Sequence, residues 1–219
     1  MHPNNLVGSV ALTCLVGAAR ASTIVLDSFN EGGHDLSASG DTVEAAAISS
    51  PFGSKRVTAI TKVVPPGSIL SSTLTPGSGT VEFQVVGASI LTGDSRVMRI
   101  QYSGGPFSLV GYSAMELDLA VIAGTGNLIV ELGSGSDSYG QEAKRIPITT
   151  GTIAVPFSEL NFGASGTLEA FQAMHFVFEA TSDDYSLLVN EIRVVPEPTK
   201  LLLIASSAMG LLVMRRRTW

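Results

Sequence analysis

TVEFQVV, residues 80–86, puts Val81, Phe83 and Val85 on one side of the chain and Glu82 and Gln84 on the other. Successive side chains of a strand point to opposite faces, so this stretch is a strand with one apolar and one wet face. MELDLAV (115–121) repeats the pattern, with Met115, Leu117, Leu119 and Val121 set against Glu116 and Asp118. A helix would need apolar residues three and four apart, and no long segment between 22 and 195 has that period. Sheets packed on one face and solvated on the other produce this alternation. The two stretches predict an all-β fold, an antiparallel β-sandwich of jelly-roll type.

The neighbouring sequence agrees. Short β-branched runs at 23–29, 42–48, 56–64, 68–74, 96–103, 127–133, 144–150, 152–157, 171–180 and 185–195 read as further strands. PPG (65–67), TPGSG (75–79), GG (104–105), GTG (124–126) and GSGSDSYG (133–140) punctuate them as turns, the last as a loop. FSEL (157–160) reads as one helical turn, and NEGGHD (30–35) as a loop.

The chain has 219 residues, enough for one domain of roughly 100–200 residues plus end segments. Between residues 22 and 195 there are 8 basic and 18 acidic residues, a net charge of −10. Such a body repels phosphate backbones, so nucleic acid is not an expected partner. The single cysteine, Cys14, lies in the N-terminal apolar run. A body without that run has no thiol for a disulfide, a nucleophile or a zinc site.

Residues 1–21 read as a signal peptide. An apolar run over 6–19 is followed by Ala19-Arg20-Ala21, the small residues at −3 and −1 that signal peptidase accepts. The expected cleavage precedes Ser22. MHPNN (1–5) departs from the usual pattern in carrying no Lys or Arg.

The other end, 196–219, holds Pro196-Glu197-Pro198, an apolar run over 201–214, and Arg215, Arg216 and Arg217. Fourteen helical residues at ~1.5 Å each cover roughly 21 Å of a ~30 Å hydrocarbon core, short for a permanent anchor. Arginines after such a run place its end on the cytoplasmic side. Triplet, run and arginines in this order resemble the PEP-CTERM sorting signal. That resemblance implies export by a Gram-negative bacterium, handling by the transpeptidase exosortase, and association with exopolysaccharide and biofilm. Pro196, Glu197 and Pro198 would be its recognition motif and the three arginines its cytoplasmic stop. Lys200 departs from the pattern by shortening the apolar run.

Chemistry in the body is sparse. His34 and His175 are the only histidines outside the leader; His175 reads as a structural strand residue, and His34 with Asp35 as a turn or ligand-binding pair. Glu116 and Asp118 share a strand face in the i, i+2 spacing of laminarinase-type sandwich glycosidases. The third acid of that family's pattern is missing, since Ala120 and Val121 stand where it belongs. Asp27 and Glu31 near the first strand and Glu191 on the last are candidate oxygen ligands for a structural Ca²⁺, with Asn30, Asp35 and Asn190 nearby. No other cofactor is expected. Tyr102, Phe107, Tyr112 and Tyr139 lie in or beside loops, where aromatic rings can stack on sugars; the only Trp is Trp219.

The opening IVLDSFNEG (24–32) and the closing YSLLVNEIRVVPEP (185–198) resemble the jelly-roll ectodomains that precede such tails, which are akin to galactose-binding-like and carbohydrate-binding modules. The expectation is therefore an exported, non-enzymatic cell-surface or extracellular protein, 22–195, with a structural or adhesive role. The alternative is a carbohydrate-binding module for exopolysaccharide, and a third reading is a degenerate glycoside hydrolase.

Overall fold

The computed structural model describes residues 22–38, 42–50, 53–63, 69–86, 95–133, 144–162 and 167–196. The leader with Ala19 and Ala21, the loop with Tyr139, and the tail with Glu197, Pro198 and Arg215–Arg217 lie outside the described residues. The described strands are β1 (Ile24–Asp27), β2 (His34–Ala38), β3 (Thr42–Ser50), β4 (Gly53–Val63), β5 (Ile69–Leu74), β6 (Val81–Val86), β7 (Ser95–Phe107), β8 (Tyr112–Ala123), β9 (Gly126–Gly133), β10 (Ile146–Pro147), β11 (Gly151–Pro156), β12 (Asn161–Phe162), β13 (Phe171–Ala180) and β14 (Tyr185–Pro196). A single 3-10 turn, Phe157–Glu159, falls on the expected FSEL segment.

They form two seven-stranded sheets. The first runs β11-β8-β14-β6-β5-β2, and β1 joins β14 beyond the end of β6. The second runs β10-β9-β13-β7-β4-β3, with β12 on β9. All pairs are antiparallel except β12–β9. The architecture is an all-β, jelly-roll-like sandwich.

The core lies between the sheets and uses the alternating residues. Val81, Phe83 and Val85 of β6 and Met115, Leu117 and Leu119 of β8 are all buried. Across from them lie Met98 and Ile100 of β7 and Met174, Phe176 and Phe178 of β13. Phe83 meets Tyr185 edge-on at 5.7 Å, and Tyr102 meets Phe176 at 6.0 Å, geometries favoured by the ring quadrupole. Each fully buried aromatic or aliphatic side chain stabilises by roughly 1.5–3 kcal/mol.

Strict alternation fails at several register shifts, two of which move a side chain that matters here. At Val25/Asp27 the register with β14 shifts, so the consecutive residues Leu26 and Asp27 are both buried. A second shift at Phe171/Ala173 turns Phe171 into the core against Phe107, rather than onto the face of Ala173 and His175. β2 takes the last two residues of the expected NEGGHD loop, His34 and Asp35, and the two-residue β12 is a strand that alternation does not signal. β9 and β13 are also buried on both faces, consistent with the nearly continuous apolar run of FQAMHFVF.

Candidate functional site

The first chemistry-bearing cluster is inside the sandwich. Asp27 of β1 accepts from Arg56 Nη1 of β4 at 2.6 Å and from the Tyr102 hydroxyl of β7 at 2.9 Å on Oδ2. Its Oδ1 accepts from the Phe29 amide at 2.7 Å, which pins Phe29 at a positive φ of 55°. Arg56 Nη2 donates to the Glu31 carbonyl at 2.7 Å, and its guanidinium lies 5.4 Å from the Phe29 ring centroid. Burial, then the Asp27 charge, raises the Tyr102 hydroxyl well above the usual tyrosine range, so it stays a donor. The group ties one sheet to the other.

This geometry gives the candidate calcium ligands other duties. Both Asp27 oxygens are engaged, Glu31 contributes its backbone carbonyl while its side chain is exposed, and Glu191 pairs with Arg193 at 3.0 Å. Among the described residues, no group of three His, Cys, Asp or Glu side chains could hold a metal ion. Asp27 turns inward because of the bulge in β1, which sequence alternation does not reveal.

His34 and Asp35 separate onto opposite faces, His34 buried and Asp35 exposed. Ser72 Oγ donates to Met98 Sδ at 3.2 Å, which leaves His34 Nε2 to donate to Ser72 Oγ at 2.9 Å. The pair has the atoms of a nucleophile and a base, but Ser72 is fully buried and no substrate can reach it. Burial first, then Arg56, lowers the His34 pKa from 6.5 to about 4. The unfolded chain therefore takes up this proton at a higher pH than the folded one. The stability contributed by neutral His34 is expected to be full above about pH 6.5 and lost as pH falls through about 4. Discounted for partial solvent access, the loss is roughly 2 kcal/mol. Urea midpoints at neutral pH and near pH 4.5 measure it, with His34→Gln removing only this part of the pH dependence. An equal fall in both proteins would refute the assignment.

Glu116 and Asp118 stand on the solvent face of the first sheet. Arg193 lies opposite Glu116 in register and donates to it at 2.7 Å, while Glu191 lies opposite Asp118. Arg193 therefore bridges Glu116 and Glu191, a cross-strand ion pair on a half-buried surface. The aromatic candidates are also used internally. Tyr102 is wholly in the core, and Phe107 and Tyr112 pack against it.

The outer face of the second sheet, turned away from the core, carries the other concentration of polar groups. Cross-strand partners share a face, so its rows follow from the register. Glu131 of β9, His175 of β13, Gln101 of β7 and Val57 of β4 form one row. Toward the β14 C-terminal end, the next row holds Gly133, Ala173 and Ser103; toward the other end, Ile129, Val177, Arg99 and Ala59. Val97, Ile129 and Val177 form a small apolar cluster of their own. Glu131 and His175 are only 2% and 1% exposed, whereas Gln101, Ser103 and Arg99 are half-buried. Glu179, further along β13, holds Arg145 through two contacts of 2.9 and 3.2 Å. The site is thus a polar row between an aliphatic strip and a strip of very small side chains. Sequence reading identified His175 as structural and missed Glu131 and Gln101. Glu131 is signalled only as a polar residue inside the apolar run NLIVELG and Gln101 only as an outward position of the alternating RVMRIQYS, and the row exists only once the register is known.

The class defined here is a jelly-roll-like β-sandwich with an amphipathic outer sheet face. No family model matches the chain, and no curated protein matches it. Among solved structures it is similar to the family 11 carbohydrate-binding module from Clostridium thermocellum in complex with a β-1,3-1,4-mixed-linked tetrasaccharide. The identity is 16% over 80% of this chain and 97% of that one, with a TM-score of 0.46. It is also similar to the C-terminal family 22 module of a C. thermocellum protein, at 11% identity over 79% of this chain and 93% of that one, TM-score 0.33. Similarity this distant leaves ligand and activity to be read from the chain's own residues.

Proposed function

We propose that the chain is an exported, non-catalytic protein whose sandwich binds polysaccharide across the outer face of its second sheet. The observation that carries this reading is the run of half-buried polar residues Arg99, Gln101 and Ser103 along β7 on that face, next to Val57 of β4. A pyranose has a hydroxyl edge and a C–H face. Arg99, Gln101 and Ser103 carry polar groups suited to the edge, and the half-buried Val57 offers an aliphatic surface to the face. The acidic body suits a neutral glycan better than an anionic one.

Residues 1–21 and 196–219 are proposed as the export and sorting signals. Signal peptidase would act after Ala21, and exosortase would read Pro196-Glu197-Pro198, with the tail crossing the inner membrane before release to the cell surface or matrix. Bound exopolysaccharide then gives the protein an adhesive or structural role in that matrix.

Affinity electrophoresis through gels containing β-glucans or the producing cell's own polysaccharide tests the binding. Retardation is expected. Ser103→Tyr, which fills the strip of small residues at a half-buried position, is expected to weaken it about tenfold or more, and Gln101→Ala about tenfold. The absence of retardation by any of these glycans, or retardation indifferent to both changes, would overturn the assignment.

A further inference from the structure

We propose that, while the apolar run 201–214 is in a membrane, the sandwich rests on the lipid head groups by one defined end, the end that carries Val110. The inference rests on reading that run as a membrane segment. Its additional content, which end faces the bilayer and how closely, comes from the fold.

The last strand does not stop short of the triplet. β14 runs through Pro196, which lies opposite Tyr112 in register. The Ser113 hydroxyl reaches the carbonyls of Val195 at 3.5 Å and Pro196 at 3.3 Å. The first residue of the sorting motif is therefore part of the first sheet, and only Glu197, Pro198, Thr199 and Lys200 separate it from Leu201. Five residue steps reach at most about 18 Å when fully extended. The head-group layer takes up roughly 5–7 Å of that. A tether this short holds the Pro196 end of the sandwich near the bilayer.

The near end is defined by the strands that terminate there. Tyr112 begins β8 after a tight turn, in which its amide donates to the Leu109 carbonyl at 3.1 Å. At the tip of that turn Val110 is 65% exposed, next to Gly111 with φ 91°. β1 begins at the same end, Ile24 lying opposite Val194, so the chain preceding it also enters there. At the other end of β14, Ser186 lies opposite Ala123, and the neighbouring Ile122 is 64% exposed. Ten residue steps along β14 carry the chain from Ser186 to Pro196, at most about 33 Å. The outer face of the second sheet runs between these ends and stays open to the side.

Single-cysteine variants of the full chain test this. Cys14 is the only native cysteine, so Val110→Cys and Ile122→Cys are made in a Cys14→Ser background and carry a nitroxide label. The chains are bound to phospholipid vesicles with a fraction of nickel-chelating head groups, and relaxation of each label is measured. The expected result is flotation with the vesicles and an enhancement several-fold larger at position 110 than at 122. A flexible Gly/Ser insertion of about twelve residues between Pro198 and Thr199 is expected to erase most of the difference. Flotation with equal enhancement at both labels would overturn the orientation and leave the membrane reading standing. Failure to float would overturn both.

Discussion

Arg56→Ala is expected to remove about 3–5 kcal/mol of stability, a large share of the roughly 5–15 kcal/mol that holds a domain together. Arg56 is 1% exposed and is the cation for Asp27, itself 7% exposed. Truncation leaves a buried carboxylate with only the Tyr102 hydroxyl and the Phe29 amide, and strips the Glu31 carbonyl of its donor. Removing one partner of a buried pair costs far more than the pair itself contributes, because the remaining charge has lost its compensation. Arg56→Lys is expected to recover only part of the loss. A single ammonium cannot span both Asp27 and the Glu31 carbonyl as the guanidinium fork does. The double variant Asp27→Ala/Arg56→Ala should be far less destabilised than the sum of the singles. Urea denaturation of all four proteins completes the cycle. Additive effects, or an Arg56→Ala protein within about 1 kcal/mol of the parent, would show that the pair does not join the sheets energetically.

Gly124→Ala has the second largest expected effect, about 3 kcal/mol and a fall of roughly 6–12 °C in Tm. Gly124 has a φ of +75°, and a Cβ there would collide with the Asp184 carbonyl oxygen and the Ser182 hydroxyl. Those groups build the end of the sandwich. Thr125 N donates to Ser182 Oγ at 2.8 Å, Thr181 N to the Thr125 carbonyl at 2.8 Å, and Ser182 Oγ to the Asp184 carbonyl at 2.9 Å. Gly77 is the control, with a φ of +77° and nothing within 4 Å of its would-be Cβ. Gly77→Ala is expected to cost only the left-handed backbone penalty of roughly 1–2 kcal/mol. Thermal melts of both variants separate collision from backbone strain. Equal losses would mean that the turn yields and that Gly124 serves φ alone.

The strands were legible because their side chains answer a two-valued question, core or water. TVEFQVV and MELDLAV alternate in sequence and lie in β6 and β8, and YSLLVNEIRVV, read as a strand, lies in β14. FQAMHFVFEA was legible as a strand, but its second buried face was not, because an apolar run does not say how many faces are covered. The failures share one cause. Asp27 reads as a candidate ligand because it is one of several oxygen-bearing residues near the first and last strands; the bulge in β1 turns it inward to Arg56, 29 positions away. Tyr102 looked like a ring near a loop, and its place in β7 sends it into the core.

Alternation and turn residues thus determined, from the sequence alone, that the body is a sandwich and where most strands run. The ends carry short apolar runs with flanking residues, patterns that can be read without a fold. Register and bulges were left to the tertiary structure, since a one-residue shift reverses every side chain while leaving the local pattern intact. Those shifts decide that Asp27, Arg56 and Tyr102 meet inside. The pairing of β9, β13 and β7 places Glu131, His175 and Gln101 in one row on the outside. A row drawn from three strands has no sequence spacing of its own, because long-range pairing creates it.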